Sequence, residues 1–270
     1  MIDLQPVNQT KLFGLNKFFI ELVRLDQNNN LPNKILLSGL KGLGKSTLAY
    51  HFINYVLSKN EEFPYDLEHK QINVENPSFK TVLNKSNPNL NLVDVNIDKK
   101  SIDIKQIREL ISNLNKSSFN TKPRFILIDN IEYMNINSVN ALLKILEEPS
   151  KNVYFILINN SKKILSTLSS RCINFKVSLT SKESFEIANN LLDKKLDILI
   201  NEDLLNYYLT PGKIYNLATF ANLKKYDLSN TDLREFLSII IDDNLYKKDN
   251  LSKYLIFDFI EYYFRKINLS

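Results

Sequence analysis

The chain has 270 residues, 44% of them apolar and 11% aromatic, with 35 basic against 30 acidic side chains and a net charge of +5. That length exceeds one minimal domain and falls short of three full ones, while the apolar content suffices for sizeable cores. One cysteine (Cys172) and two histidines (His51, His69) exclude a Cys-rich zinc site and a disulfide framework, and no apolar run nears the ~20 residues of a membrane helix.

Met1-Ile2-Asp3-Leu4-Gln5-Pro6 lacks the basic and apolar regions of a secretory signal, so a soluble, cytoplasmic protein without membrane contact is expected. The charge permits contact with nucleic acid and does not demand it.

In chain order, apolar residues recur at helical spacing over 12–26, and Asn28-Asn29-Asn30-Leu31-Pro32 breaks the pattern. Residues 34–38 read as a short buried parallel strand and 45–57 as the helix it feeds. Between 58 and 88 the pattern is weak, with Pro64, Pro77 and Pro88 among many asparagines, and irregular structure is expected. Residues 90–95 alternate as a strand and 104–114 as an amphipathic helix. An apolar strand over 124–128 ends in Asp129, a helix over 138–147 is stopped by Pro149, and 153–158 is the next buried strand. This alternation predicts an α/β fold with a doubly wound, mostly parallel sheet flanked by helices. After Val177 strand candidates stop, and 181–192, 202–209, 211–220, 233–241 and 251–267 read as helices.

The segment Gly39-Leu40-Lys41-Gly42-Leu43-Gly44-Lys45-Ser46-Thr47 satisfies G-x-x-x-x-G-K-[ST] and contains three of the chain's five glycines. The pattern has a physical reason. Backbone N–H groups must wrap phosphate oxygens without side chains intervening, Lys45 must reach the β- and γ-phosphates, and Ser46 must ligate Mg²⁺. Strand, glycine loop and helix follow one another as that motif requires, so ATP with Mg²⁺ is the expected ligand. Asp129 stands where an acid would hold the water shell of Mg²⁺ beside Ser46; an ordinary strand-end turn residue is the alternative. Hydrolysis also needs a side chain that orients or deprotonates water. The residue after Asp129 is Asn130, which can hydrogen-bond water and cannot take its proton. Glu132 shares a face with Asn130 if the strand continues; otherwise it is a solvated acid.

The run Asn140-Ala141-Leu142-Leu143-Lys144-Ile145-Leu146-Glu147-Glu148-Pro149, followed by Ser170-Arg171-Cys172, resembles the clamp-loader branch of the AAA+ ATPases, and most closely the delta prime family of bacterial DNA polymerase III. The resemblance covers roughly 12–175, and Thr210-Pro211-Gly212-Lys213 resembles a short segment of that branch's small helical domain. It implies an AAA+ nucleotide-binding domain over 1–178, a small helical lid over 179–223 and a shortened, collar-like helical region over 224–270. It also implies that Arg171 is an arginine finger inserted into a neighbouring subunit's site, that Asn159 is the first sensor of the γ-phosphate, and that Lys213 stands near the second. With only six arginines against 29 lysines, an Arg at 171 is notable, because Lys cannot imitate a planar fork spanning phosphate oxygens. Cys172 reads as a packing residue rather than a reactive thiol.

Many relatives carry a four-cysteine zinc module after the phosphate-loop helix, and 58–88 has no cysteine, so no zinc is carried over. The function implied is that of a subunit in a hetero-oligomeric clamp-loader ring, with other loader subunits, the sliding clamp and primed DNA as partners. It would bind ATP and hydrolyse it weakly or not at all. A self-sufficient AAA+ motor, gamma/tau-like or another remodeller, is the alternative. A small-molecule phosphotransferase would need several lid arginines, and 179–270 holds only Arg234 and Arg265.

Overall fold

The computed structural model describes residues 4–96, 99–116, 120–148, 150–192, 196–205, 209–248 and 250–269. Two compact units divide at residues 178 and 179.

The first unit is an α/β domain. Its elements are α1 (Asn16–Gln27), β1 (Lys34–Ser38), α2 (Lys45–Ser58), α3 (Pro77–Leu83), β2 (Leu90–Val93), α4 (Ile104–Leu114), β3 (Arg124–Ile128), α5 (Ile136–Glu147), β4 (Val153–Asn159), α6 (Ser166–Ser169) and β5 (Ile173–Lys176). The five strands form one parallel sheet in the order β2-β3-β4-β1-β5. The expected α/β class therefore holds.

Helices cover both faces, which is why the central strands carry unbroken apolar runs, such as those over 35–37 and 125–128, instead of alternating. Ile126, Ile128, Phe155 and Leu157 meet Ile107 and Leu110 of α4 and Val139, Leu142 and Leu146 of α5 on one side. On the other, Phe52 of α2 packs edge-on to Phe125, with ring centroids 6.3 Å apart. Each such fully buried side chain contributes roughly 1.5–3 kcal/mol by leaving water.

The short helix α6 falls outside the expected elements, as do the short helices Leu196–Leu199 and Leu245–Lys248 of the second unit, and α3 and β5 depart from expectation in a way the local chemistry explains. Helix α3 lies in the stretch expected to be irregular. Asn76 caps it by accepting from the Phe79 N–H, and Pro77 occupies the first turn, where its missing N–H costs nothing. Strand β5 was not foreseen because it is an edge strand with a mostly exposed face, so only Phe175 of its four residues is buried. Helix α5 ends where the sequence suggests, although its expected stop, Pro149, lies outside the described residues.

The second unit, from Leu179, contains α7 (Ser181–Leu192), α8 (Leu196–Leu199), α9 (Glu202–Leu205), α10 (Pro211–Lys224), α11 (Leu233–Asp242), α12 (Leu245–Lys248) and α13 (Asn250–Leu269). Residues 206–208, which the expected 202–209 helix included, lie outside the described residues. The core includes residues on both sides of position 223, and its aromatic centre is Phe220, Phe236 and Phe259, stacked edge to face at 5.8 and 4.9 Å. Among the described residues, no helix is long and apolar enough to cross a membrane.

Candidate functional site

The phosphate loop leaves β1 and enters α2, and its backbone explains its glycines. Gly42 and Gly44 have φ of +87° and +86°, the left-handed region that side chains avoid. Gly39 has φ +150°, and a Cβ there would lie 2.3 Å from the Val177 carbonyl oxygen. The cradle is therefore shaped for backbone alone.

Lys45 opens α2 and is only 3% exposed. Its Nζ donates to the carbonyls of Gly39 (2.9 Å) and Leu40 (2.7 Å). Burial lowers its pKa to about 8, although the charges of Asp129 and Glu132 hold it up. Ser46, the next residue, donates its hydroxyl to Asp129 Oδ2 at 2.5 Å, and Thr47 follows it in the first turn of α2. Burial raises the Asp129 carboxyl above the usual range; the Asp94 charge adds to this, while the Ser46 bond opposes it. A hydroxyl, a carboxylate and an ammonium thus meet at the C-terminal end of the sheet, beside a helix N-terminus that favours anions. This donor set fits a Mg²⁺-bound nucleoside triphosphate: Lys45 for phosphate oxygens, Ser46 and Asp129 for the cation and its water.

Asp94 was not singled out from the sequence, yet parallel pairing of Val93 with Ile128 sets it at the same level as Asp129. Its charge also contributes, after burial and Asp129, to lifting the Tyr50 phenol to about 12. Tyr50 lies one helical turn beyond Ser46, on the same face of α2.

Asn130 does not continue the strand. It takes a left-handed conformation, φ 55° and ψ 44°, and leads into a short 3₁₀ turn over Ile131–Tyr133. Its Nδ2 donates to Asp94 Oδ1 at 2.8 Å, and its Oδ1 accepts from Asn160 Nδ2 at 2.8 Å. Glu132 is not a solvated acid: it is half-buried, and its carboxylate accepts from the Asn160 backbone N–H (3.3 Å) and Nδ2 (3.1 Å). A hydrogen-bonded line, Asp94–Asn130–Asn160–Glu132, therefore crosses the ends of β2, β3 and β4.

Asn159 is 6% exposed, but its side chain closes a local turn, donating to the Lys162 carbonyl (2.9 Å) and accepting from the Lys162 N–H (3.2 Å). Its own carbonyl accepts from Gly39 N–H at 3.2 Å, so Asn159 shapes the loop through backbone while Asn160 supplies the amide in the polar line. The two adjacent amides are indistinguishable in sequence.

Arg171 follows α6, and its side chain is 33% exposed. Nη1 donates to the Thr167 carbonyl (2.7 Å) and Nη2 to Glu147 Oε1 (2.8 Å). Cys172 packs against the core, and burial pushes its thiol up to about 11, which leaves it protonated. Lys213 belongs to the helical unit, where its Nζ donates to Asp258 Oδ1 at 2.7 Å.

A family model described as DNA polymerase III, delta subunit, matches residues 14–180. The chain is 32% identical to DNA polymerase III subunit gamma of Buchnera aphidicola subsp. Schizaphis graminum, over 59% of this chain and 42% of that protein. It is 26% identical to subunit delta' of the same organism, over 86% of this chain and 64% of that one. The chain thus spans less than two thirds of either relative's own length. Among solved structures, a DNA polymerase III gamma subunit-related protein of Thermotoga maritima is similar at 19% identity and a TM-score of 0.48, covering 87% of this chain and 69% of that one. With more than half of its length matched, the chain belongs to the DNA polymerase III delta subunit family.

Proposed function

We propose that this protein is an AAA+ subunit of the DNA polymerase III clamp loader that holds Mg²⁺-ATP at 39–47 and presents Arg171 to a neighbouring subunit. The observation that carries this reading is the contrast within one site. Lys45, Ser46 and Asp129 are assembled for binding, whereas the position next to Asp129 holds an amide already committed to Asp94 and Asn160. An amide cannot accept the proton of an attacking water, so ATP is bound and turned over slowly or not at all. Asn159 and Asn160 together form the first sensor, one through its backbone and one through its amide, and Lys213 is the candidate for the second. Residues 179–223 form the lid and 224–270 the ring-joining region. The partners are the other loader subunits, the sliding clamp and primed DNA, in the cytoplasm.

Arg171 is suited to acting on a neighbour because its present partners are weak ones. An exposed carboxylate such as Glu147 is worth only ~0–1 kcal/mol to it, and a phosphate offers a better bidentate match. The test is equilibrium binding of labelled ATP combined with single-turnover hydrolysis, first on the chain alone and then with the other polymerase III subunits. Tight binding, slow turnover and co-purification are expected, and fast turnover by the isolated chain overturns the reading. A self-sufficient motor is the second reading. The identity to a gamma subunit favours it, and it requires self-assembly together with that fast turnover.

A further inference from the structure

Helix α13 has more apolar surface than its own unit covers. Ile256, Phe259 and Tyr262 face the helical core, and Ile260 and Tyr263 are half-buried against it. Phe257 (62% exposed), Phe264 (61%) and Ile267 (51%) face outward. At about 100° per residue, Phe257, Ile260, Phe264 and Ile267 fall within an arc of roughly 80° beside the core-facing one. Their steps of three, four and three residues are those of a seam that packs against one other helix.

Two features identify that helix. The spacing is palindromic and superimposes on itself when reversed about residue 262. An antiparallel copy therefore sets Phe257 opposite Ile267 and Ile260 opposite Phe264, so that every layer pairs one ring with one branched aliphatic side chain. A parallel copy would set ring on ring and aliphatic on aliphatic, in layers of unequal width.

The charges reverse with the same symmetry. Within the unit α11 and α13 run antiparallel: Leu233 and Arg234 line a cleft with Tyr263, Lys266 and Ile267, and Phe236 meets Phe259 further along. One end of this helix pair carries the exposed cations Arg234, Arg265 and Lys266, and the end of α11 at its other side carries the exposed Asp242 and Asp243. A two-fold rotation lays the basic end on the acidic one, whereas a parallel arrangement lays like on like. Beside the axis, Glu261 is bonded to Arg265 of its own chain at 2.5 Å, so no unbalanced charge is brought together there. The cleft, about 250 Å³ in volume, opens beside Ile267, the residue that Phe257 of a second copy would meet. It has room for one aromatic ring, with Arg234 and Lys266 placed to lie over it.

We propose that the 257–267 seam of α13 docks antiparallel on the same seam of a second copy of this chain, with each Phe257 seated in the other copy's cleft. The contact is isologous and closes at two copies. It is a property of the chain by itself and goes beyond the loader reading above.

The test is sedimentation velocity of the full chain at concentrations spanning the micromolar range, the regime of so small an interface. All runs are made without nucleotide, so that self-assembly through Arg171, which the motor reading requires, does not enter. Wild type should pass from monomer to dimer as concentration rises. Phe257→Lys and Ile267→Glu should each weaken dimerisation at least ~30-fold, the loss at an anchor residue. Both positions are exposed in the single chain, so the thermal midpoint at low concentration should match wild type, which separates loss of docking from loss of fold. Mixed in equal amounts, the two variants should associate again. The antiparallel register brings the introduced ammonium against the introduced carboxylate in one layer and leaves the native pair in the opposite one. A wild type that stays monomeric, a dimer indifferent to both substitutions, or a mixture that stays monomeric overturns the proposal. So does a chain that is monomeric alone yet binds another polymerase III subunit in a manner lost in Phe257→Lys, because the seam's occupant is then that subunit.

Discussion

Because Lys45 titrates low, ATP affinity should depend on pH in a direction and by an amount that the structure specifies. Burial holds its pKa at about 8 against an ordinary 10.5. Triphosphate oxygens beside Nζ favour the ammonium and return its pKa toward or above the ordinary value. Between those two values binding therefore takes up as much as one proton, and affinity falls by up to about tenfold per pH unit until 10.5. Between pH 7.5 and 9.5 the predicted loss is roughly 30-fold, or ~2 kcal/mol. The same lysine affects folding in the opposite sense. Its folded pKa lies below the unfolded one, so the unfolded chain binds more protons between pH 8 and 10.5, and this group's contribution to the nucleotide-free protein's stability rises across that window. Loss of affinity thus cannot be put down to alkaline unfolding at Lys45. The assay is a labelled-ATP titration at constant ionic strength at pH 7.5, 8.5 and 9.5, with Lys45→Arg as the control whose charge does not titrate. A flat wild-type profile, or the same slope in Lys45→Arg, would refute the reasoning.

Three further outcomes follow from other parts of the α/β unit. Gly39→Ala sets a Cβ against the Val177 carbonyl in a backbone conformation that only glycine occupies freely. It should cost on the order of 1–3 kcal/mol in denaturant unfolding and weaken ATP binding. His51 is fully buried between the Tyr65 hydroxyl and the Gln9 carbonyl, and burial lowers its pKa to about 4 from 6.5. The unfolded chain therefore binds the extra proton, so up to ~3 kcal/mol present above pH 6.5 is lost as pH falls toward 4. His51→Gln should flatten that part of a stability-versus-pH curve. Arg171→Ala should leave the chain's own ATP affinity and melting temperature almost unchanged. It should slow ATP turnover in the reconstituted loader by about 10³-fold or more if Arg171 is a finger, and Arg171→Lys should not rescue it. An unchanged loader rate removes that role.

The sequence was most informative where local chemistry decides the outcome. Helix α4 runs from Ile104 to Leu114 as its periodicity indicates, because Asp103 and Gln106 close a full capping box at its start. The phosphate loop was equally plain, since its glycines have no other physical reason to cluster. Position 130 was harder. A strand ending in Asp129 invites continuation, but a left-handed Asn130 turns the chain, so strand parity says nothing about where Glu132 points. Glu132 reaches Asn160 through a non-local contact between β3 and β4 that no spacing rule contains. Asp94 was hidden for a related reason: as one polar residue after a weak strand it is unremarkable, and it matters only because Val93 pairs with Ile128. Strand β5 was missed because an exposed edge lacks the apolar run by which buried parallel strands are recognised.

The close approach of Gly39 to Val177 also ties the loop after β1 to the C-terminal end of the α/β unit. Val177 donates its N–H to the Ser38 carbonyl at 2.7 Å, and its carbonyl oxygen forms the wall against which the first loop glycine is packed. The shape of the loop after β1 is therefore set in part by the last residues of this unit, and a change in the backbone at Val177 alters the room left for Gly39.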